Sequence, residues 1–210
     1  VDHRKRPPSL AALDYAHAQG VIHHDIKPEN IMLAEGWHYA KISDFGIADR
    51  RGMHDTDSGE RREIGGTPAY MALERLRCEP ADARSDLFSL GVVLYWLITG
   101  KLPWSETSDM RRLIRERQRS PLPSVEPLDP ATPSMLIDIV HALLAPTAQA
   151  RYQCGSEVVD DLRRARREYE RLHEKPLANR IISLRLRWAG ALGATLCLVL
   201  LLGLAAIHAK

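Results

Sequence analysis

The sequence has little cysteine and no large excess of charge of either sign. Its 210 residues include three cysteines, Cys78, Cys154 and Cys197, and no Cys-x-x-Cys pair. A disulfide framework or a zinc site needs more cysteines at closer spacing, so neither is expected and a reducing compartment fits. The formal net charge of +2 creates no overall basic field, so we expect no nucleic-acid partner.

The chain shows no internal repeat and no secretory leader at its start. Apolar residues make up 45% and charged residues 27% of the chain, which is ordinary for a globular protein and argues against disorder. The first residue is Val1 rather than methionine, so we expect the chain to be part of a longer protein.

Apolar spacing and turn residues predict a mainly α fold with a few short β-strands. A helix is expected from Ser9, a suitable N-cap, to the glycine at position 20. The segment 85–99 is apolar on nearly every face, which is typical of a helix inside a core. Two amphipathic helices are predicted at 134–144 and 156–172, short buried strands at 21–22, 31–33 and 41–42, and a proline-rich surface loop at 121–133.

A long apolar segment lies near the end of the sequence. Residues 188–207 carry no charge, and a helix of this length spans roughly 30 Å, the thickness of a bilayer core. Basic residues are frequent from Arg163 to Arg187, whereas only Lys210 follows the segment. The positive-inside rule then places the preceding residues in the cytoplasm and the protein in the plasma or inner membrane as a single-pass protein. A buried core helix is the alternative.

These features predict four regions. A folded region at 1–168 is followed by a basic juxtamembrane segment at 169–187, a transmembrane helix at 188–207 and a short tail at 208–210. The pairs Ala189/Gly193 and Gly190/Ala194 suit helix pairing in a homodimer, but small residues are also common in any apolar helix. The basic segment is either a contact for anionic lipid or a solvated determinant of topology.

The loop at 23–30, with the sequence HHDIKPEN, carries the residue types that phosphoryl transfer requires. That reaction needs a carboxylate to orient the attacking hydroxyl, a cation near the phosphate and oxygen ligands for magnesium. Asp25, Lys27 and Asn30 provide these groups within one loop. A second carboxylate, Asp44, opens an Asp-Phe-Gly triplet 14 residues after Asn30.

With these two motifs in this order, the chain resembles bacterial-type (Hanks-type) Ser/Thr protein kinases, specifically the larger lobe, over about residues 9–168. The family loop HRD-x-K-P-x-N stands here as HHDIKPEN. The resemblance implies that Asp25 is the catalytic base, that Lys27 stabilises the transferring phosphoryl group of ATP, and that Asn30 and Asp44 bind Mg²⁺. It also implies a structural role for His23, packed beneath the Asp-Phe-Gly segment.

Further motifs follow in family order. The segment 66–74, GTPAYMALE, is similar to the family's GTPxYMAPE, which implies that Thr67 faces the substrate residue and that Glu74 pairs with Arg151. The segment 85–91, SDLFSLG, resembles the start of the family's central helix, so Asp86 is expected to hold the backbone of the catalytic loop. The segment 100–104, GKLPW, is similar to the GxxPF that follows.

The sequence also departs from the family pattern. His24 replaces the arginine that normally pairs with a phosphorylated residue, so activation by phosphorylation of the loop at Thr56, Ser58 or Thr67 is uncertain. Leu73 replaces a proline, and the chain contains no Gly-rich phosphate loop and no strand lysine. Either the smaller lobe lies upstream in a longer Ser/Thr kinase that uses ATP and Mg²⁺ on protein substrates, or the chain is a membrane-tethered pseudokinase that acts as a scaffold.

Overall fold

The computed structural model describes residues 9–34, 39–45, 49–50, 65–119 and 122–172. Within them the chain is mostly helical with a few short strands, as predicted. The helices are α1 (Ser9–Ala18), α2 (Leu73–Leu76), α3 (Ala83–Thr99), α4 (Met110–Arg119), α5 (Ser134–Leu143) and α6 (Gly155–Leu172). The strands are β1 (Val21–Ile22), β2 (Ile31–Ala34), β3 (Tyr39–Ile42) and β4 (Asp49–Arg50), and 3₁₀ turns lie at Pro28–Asn30, Pro68–Tyr70 and Ala148–Ala150.

Helix α3 forms the centre of the core, as its all-round apolar sequence predicts. It begins two residues before the predicted Ser85 because the Asp82 side chain accepts a hydrogen bond from the Arg84 backbone at 2.9 Å and caps the helix. It ends at Gly100, which adopts a left-handed conformation with φ of 71°. All residues from Ser85 to Thr99 are buried except Trp96, which is half-buried.

Helix α5 packs closely on α3 because Gly91 leaves room for it. A Cβ atom at position 91 would lie 2.7 Å from the Cβ of Leu143, closer than real carbon contacts allow. Helices α1 and α6 pack beside this pair, and the Asp14 carboxylate accepts hydrogen bonds from the Gly155 and Ser156 backbone at 2.5 and 2.6 Å. A side chain of α1 therefore satisfies free N–H groups at the start of α6.

Two small antiparallel pairs carry the loops of the candidate site. Strand β2 pairs with β3 so that Ile31 lies opposite Ile42. Strand β1 pairs with β4. The sequence did not predict this pairing, because each strand has only two residues and the two strands are far apart in the chain. The prediction that residues 31–33 are buried is wrong for Met32, whose side chain is 52% exposed.

Helix α4 was not predicted either. Its sequence, MRRLIRERQR, is dominated by arginine, and its apolar side is short, with only Met110, Leu113 and Ile114 at helical spacing. Leu113 and Arg117 are nevertheless buried on its inner side.

None of the helices in the described part of the chain is both long and apolar enough to cross a membrane. The predicted transmembrane helix at 188–207, the tail at 208–210 and the juxtamembrane segment from residue 173 onward lie outside the described residues. They stay predictions.

Candidate active site

The loop that carries Asp25 is held from below by one buried carboxylate. Asp86, in the first turn of α3, accepts hydrogen bonds from the backbone N–H groups of His23 and His24, each at 2.8 Å. The His17 ring donates to the same carboxylate at 2.8 Å. Asp86 is 1% exposed, so these donors replace the water that a buried carboxylate loses. The contact to the loop backbone predicted for Asp86 is present.

His23 links the loop to the segment that contains Asp44. Its Nε2 donates to the Ser43 carbonyl at 3.0 Å, and its Nδ1 accepts from the Asp25 backbone at 3.3 Å. Its ring packs against Phe45 with centroids 4.5 Å apart, which is the arrangement predicted for a structural histidine under the Asp-Phe-Gly segment. Gly46 lies outside the described residues.

Asp25 sits at the convergence of three polar side chains. One carboxylate oxygen accepts from the Thr67 backbone at 2.9 Å and from the Thr67 hydroxyl at 3.0 Å. The other lies 2.7 Å from the Lys27 ammonium and accepts from the Asn30 amide at 3.1 Å. Three predicted site residues, Lys27, Asn30 and Thr67, therefore surround one carboxylate, although Lys27 and Thr67 are 40 positions apart in sequence.

These contacts also control the charge of Asp25. Burial raises the pKa of its carboxyl, but the hydrogen bonds from Lys27 and Thr67 and the Lys27 charge outweigh burial and bring the pKa below its ordinary value. The carboxylate is consequently ionised at neutral pH. An ionised carboxylate only accepts hydrogen bonds. It can therefore bind a hydroxyl group through the hydroxyl hydrogen, so that the hydroxyl oxygen points away from the carboxylate.

Lys27 connects the loop at 23–30 with Thr67, which lies in the segment 66–74. Its ammonium lies 3.0 Å from the Thr67 hydroxyl as well as 2.7 Å from Asp25. Its side chain is partly exposed, so the positive charge can also meet an incoming anion. Thr67, predicted to face the substrate residue, is placed directly on Asp25.

Asn30 and Asp44 are the predicted magnesium ligands. The Asn30 amide nitrogen donates hydrogen bonds to the backbone carbonyl of Asp25, at 2.8 Å, and to the Asp25 carboxylate, at 3.1 Å. The amide oxygen of Asn30 is therefore the atom that can bind a metal ion. The Asp44 side chain is exposed, and its backbone adopts a left-handed conformation with φ of 63°. One amide oxygen and one carboxylate fit Mg²⁺, which keeps phosphate and water oxygens as its other ligands. No three His, Cys, Asp or Glu residues of the described segments cluster as a metal site by themselves.

The ion pair predicted between Glu74 and Arg151 is present. The two side chains meet in a two-pronged contact at 2.7 and 3.1 Å, and the Arg151 side chain is fully buried. Ser85 donates to the same carboxylate at 2.9 Å. Burial raises the pKa of Glu74, but the Arg151 hydrogen bond and charge lower it below its ordinary value. This pair ties the end of the segment 66–74 to the core.

A pocket of about 480 Å³ opens beside the loop. Glu29 and Glu106 place two acidic groups at it, and Tyr70, Trp96 and Trp104 provide aromatic walls. Burial, with help from the charges of Glu29 and Glu106, raises the pKa of the Tyr70 phenol to about 12. The pocket therefore combines negative potential with aromatic surface.

The sequence was compared with models of known protein families. Residues 9–161 match the model of the protein kinase domain. The chain belongs to the protein kinase family. The match begins at α1 and ends within α6, so the kinase region includes every predicted site residue.

Similar bacterial proteins carry kinase names. The probable serine/threonine-protein kinase PknB of Corynebacterium glutamicum is 36% identical over 165 residues, covering 76% of this chain and 25% of the relative. The serine/threonine-protein kinase PknB of Mycolicibacterium smegmatis is 36% identical over 72% of this chain and 24% of its own length. Pkn1 of Myxococcus xanthus is 37% identical over 67% and 20%. The chain spans about a quarter of the length of these relatives.

One half-buried arginine of this kinase region was missed by sequence reasoning. Arg75 follows Glu74 and donates hydrogen bonds to the backbone carbonyls of His24 and, at 2.8 Å, Gly65. The only sequence signal for it was a lone arginine directly after Glu74. Such a residue is indistinguishable from a solvated surface arginine until the fold is known.

Proposed function

We propose that the protein containing this chain transfers the γ-phosphoryl group of ATP to Ser or Thr hydroxyls of protein substrates. The observation that carries the proposal is the environment of Asp25, an ionised carboxylate with Lys27, Asn30 and Thr67 around it. Such a carboxylate can accept a hydrogen bond from the hydroxyl group of a substrate. The hydroxyl oxygen is then directed toward the phosphorus atom. Lys27 is proposed to stabilise the negative charge that develops on the phosphoryl group.

Ser and Thr are the proposed acceptors because of Lys27 and Thr67. Lysine two positions after the catalytic aspartate is the pattern of the Ser/Thr kinases that the chain resembles. The names of the similar Corynebacterium and Mycolicibacterium proteins are consistent with this choice.

ATP is proposed to bind as its Mg²⁺ complex, with Asn30 and Asp44 as the protein ligands. When bound, the ion neutralises phosphate charge. Asn30 would present its amide oxygen while its nitrogen continues to hold Asp25. Thus one side chain would couple the position of the cation to that of the carboxylate.

A second structural unit is proposed to cover this site. Met32 and Phe45 lie beside the loop with side chains 52% and 41% exposed, so each offers apolar surface to a second unit. The sequence contains neither a Gly-rich phosphate loop nor a lysine strand. We infer that a smaller lobe elsewhere in a longer protein supplies both groups and covers these side chains.

The pocket beside Glu29 is proposed to receive a basic side chain of the substrate. Its two carboxylates, Glu29 and Glu106, attract an arginine or lysine, and Trp96 and Trp104 offer faces on which a guanidinium can stack. The pocket adjoins the 3₁₀ turn that carries Asn30, so its occupant would lie within a few residues of the acceptor hydroxyl.

A single-pass location in the plasma or inner membrane, with the kinase region in the cytoplasm, is also proposed. It is supported by the uncharged segment 188–207 and the basic residues before it. Cell fractionation of a tagged protein checks it, since an integral protein stays in the membrane pellet after carbonate washing. Release by carbonate would count against the transmembrane helix.

The activity is tested with Asp25→Asn in the full-length protein. We expect the rate of phosphate transfer from radiolabelled ATP to a Ser/Thr peptide to fall by about 10²–10⁴-fold, the usual contribution of a positioned proton acceptor. Asp138→Asn is the matched control, because Asp138 is exposed on α5, away from the site. Its rate should equal that of the wild type.

Two results would decide against the proposal. Undiminished activity of Asp25→Asn would refute the role of that carboxylate. A wild-type protein with no transfer activity and no thermal shift with ATP and Mg²⁺ would indicate the pseudokinase scaffold instead.

A further inference from the structure

Arg75 connects two segments that are far apart in sequence. It lies in the short helix α2, and its guanidinium donates from one nitrogen to the His24 carbonyl and from the other to the Gly65 carbonyl at 2.8 Å. His24 belongs to the loop that bears Asp25. Gly65 belongs to the segment that returns toward the site and bears Thr67.

The first contact acts on a residue with unusual backbone geometry. His24 adopts a left-handed conformation with φ of 69°, which is uncommon for residues other than glycine. Its N–H is held by Asp86 at 2.8 Å, and its carbonyl is held by Arg75. The two peptide groups that flank His24, the second of which leads into Asp25, are thereby each held by one side chain.

The second contact acts on the partner of Asp25. Gly66 has φ of 102°, and a Cβ atom there would lie 2.7 Å from the His24 carbonyl. The segment therefore presses directly against the loop at the point where Arg75 binds both. The next residue, Thr67, donates to Asp25 from its backbone and its hydroxyl.

The chemistry of the side chain suits this task. A guanidinium presents donors in a flat fork, so it can satisfy two carbonyls at once, whereas a lysine ammonium is a single point. Burial lowers the pKa of Arg75, and the nearby charges of Asp86, Asp25 and Glu74 favour its ionised form. The charge is thus retained within a group of carboxylates that includes Asp25 itself.

We propose that Arg75 is a positioning residue of the phosphoryl-transfer site, which sets the distance between Asp25 and Thr67 by joining His24 to Gly65. This rests on the proposed function. The family motif HRD-x-K-P-x-N has an arginine at the position of His24, whereas in this chain a guanidinium reaches the loop from α2. The link is made by a side chain of the protein and requires no phosphate group.

The test compares Arg75→Met and Arg75→Lys with the wild type in the full-length protein. Methionine keeps the length of the side chain without donors, and lysine keeps the charge without the fork. We expect kcat for peptide phosphorylation to fall about 10- to 100-fold in Arg75→Met, with less loss in Arg75→Lys and little change in KM for ATP. Arg77→Met is the control, since Arg77 is on the surface beside Glu79.

Hydrogen exchange measured by mass spectrometry separates positioning from general stability. The backbone amides of His24 and Thr67 should exchange faster in both Arg75 variants, while α5 and α6 keep their wild-type rates. Wild-type kcat, or wild-type exchange at His24 and Thr67, would overturn the proposal. Equal acceleration of exchange in α5 and α6 would also overturn it, because Arg75 would then serve overall stability.

The same experiment distinguishes failure of this proposal from failure of the proposed function. If the wild type transfers no phosphate, the proposed function fails, and the exchange rates at His24 and Thr67 still decide whether Arg75 positions the two segments. If Arg75→Met does not fold, Arg75→Lys carries the comparison. A lysine variant with both wild-type kcat and wild-type exchange would then refute the need for the fork.

Discussion

Replacing Arg151 by methionine tests the energetic importance of its buried ion pair with Glu74. The substitution removes the two contacts to Glu74, at 2.7 and 3.1 Å, and leaves that carboxylate with the hydrogen bond from Ser85. It also removes hydrogen bonds from the guanidinium to the carbonyls of Ala145, at 2.9 Å, and Pro146, at 3.2 Å. Glu74 therefore keeps only the Ser85 donor, and the two carbonyls lose the guanidinium that binds them.

The size of the effect follows from burial. Removing one partner of a buried ion pair costs about 3–5 kcal/mol. The Arg151 side chain is fully buried but Glu74 is 17% exposed, so partial hydration of Glu74 places the expected loss at about 3–4 kcal/mol. For a domain of this size, each kcal/mol lowers the melting temperature by about 2–4 °C, which predicts a decrease of about 6–16 °C.

Thermal unfolding of the full-length protein, followed by calorimetry at neutral pH, measures this change. Arg163→Met is the matched control, because Arg163 pairs with Asp160 at 3.1 Å on the exposed side of α6. Exposed pairs contribute at most about 1 kcal/mol, so the control should shift the melting temperature only slightly. Equal shifts in the two variants would refute the argument from burial.

The pH dependence gives a second check on the same pair. Since the folded-state pKa of Glu74 is lowered from 4.5, its ionisation stabilises the folded protein. This contribution is complete above the unfolded-state pKa and is lost as the pH falls through the folded-state pKa. The difference in stability between the wild type and Arg151→Met should therefore narrow below about pH 4.

Three further predictions concern the site. Because the pKa of Asp25 is lowered from 3.8, its ionisation should not limit kcat/KM above about pH 5, as a pH–rate profile will show. Asp86→Ala leaves the backbone donors of His23 and His24 without their acceptor, so unfolding should become easier by about 2–4 kcal/mol in a denaturant titration. Glu29→Gln combined with Glu106→Gln should lower kcat/KM for peptides with a nearby arginine but not for neutral peptides.

Each of these has a clear contrary result. An acid limb near pH 7 that disappears in Asp25→Asn would show that the Asp25 pKa is raised rather than lowered. An Asp86→Ala variant as stable as the wild type would mean that the loop backbone does not depend on that carboxylate. An equal loss for neutral and arginine-containing peptides would show that the acidic pocket does not select charge.

Much of the site could be read from sequence because its residues are close together. Asp25, Lys27 and Asn30 lie within one loop, and a chemistry that needs a carboxylate, a cation and an oxygen ligand explains their spacing. Helix α3 was equally accessible, since its apolar residues occupy every face and Gly100 marks its end. Helix α4 was not, because its buried side includes Arg117, a residue type that predicts a solvated surface.

The sequence by itself determined the family, the identity of the chemical groups and the main helices, because these depend on residue type and local spacing. Only the tertiary structure decided which distant groups meet. It placed Thr67 on Asp25 and brought Arg75 to the carbonyls of His24 and Gly65. The physical reason is that a hydrogen bond depends on distance and direction in space, and packing of α2 and α3 against the loop sets both.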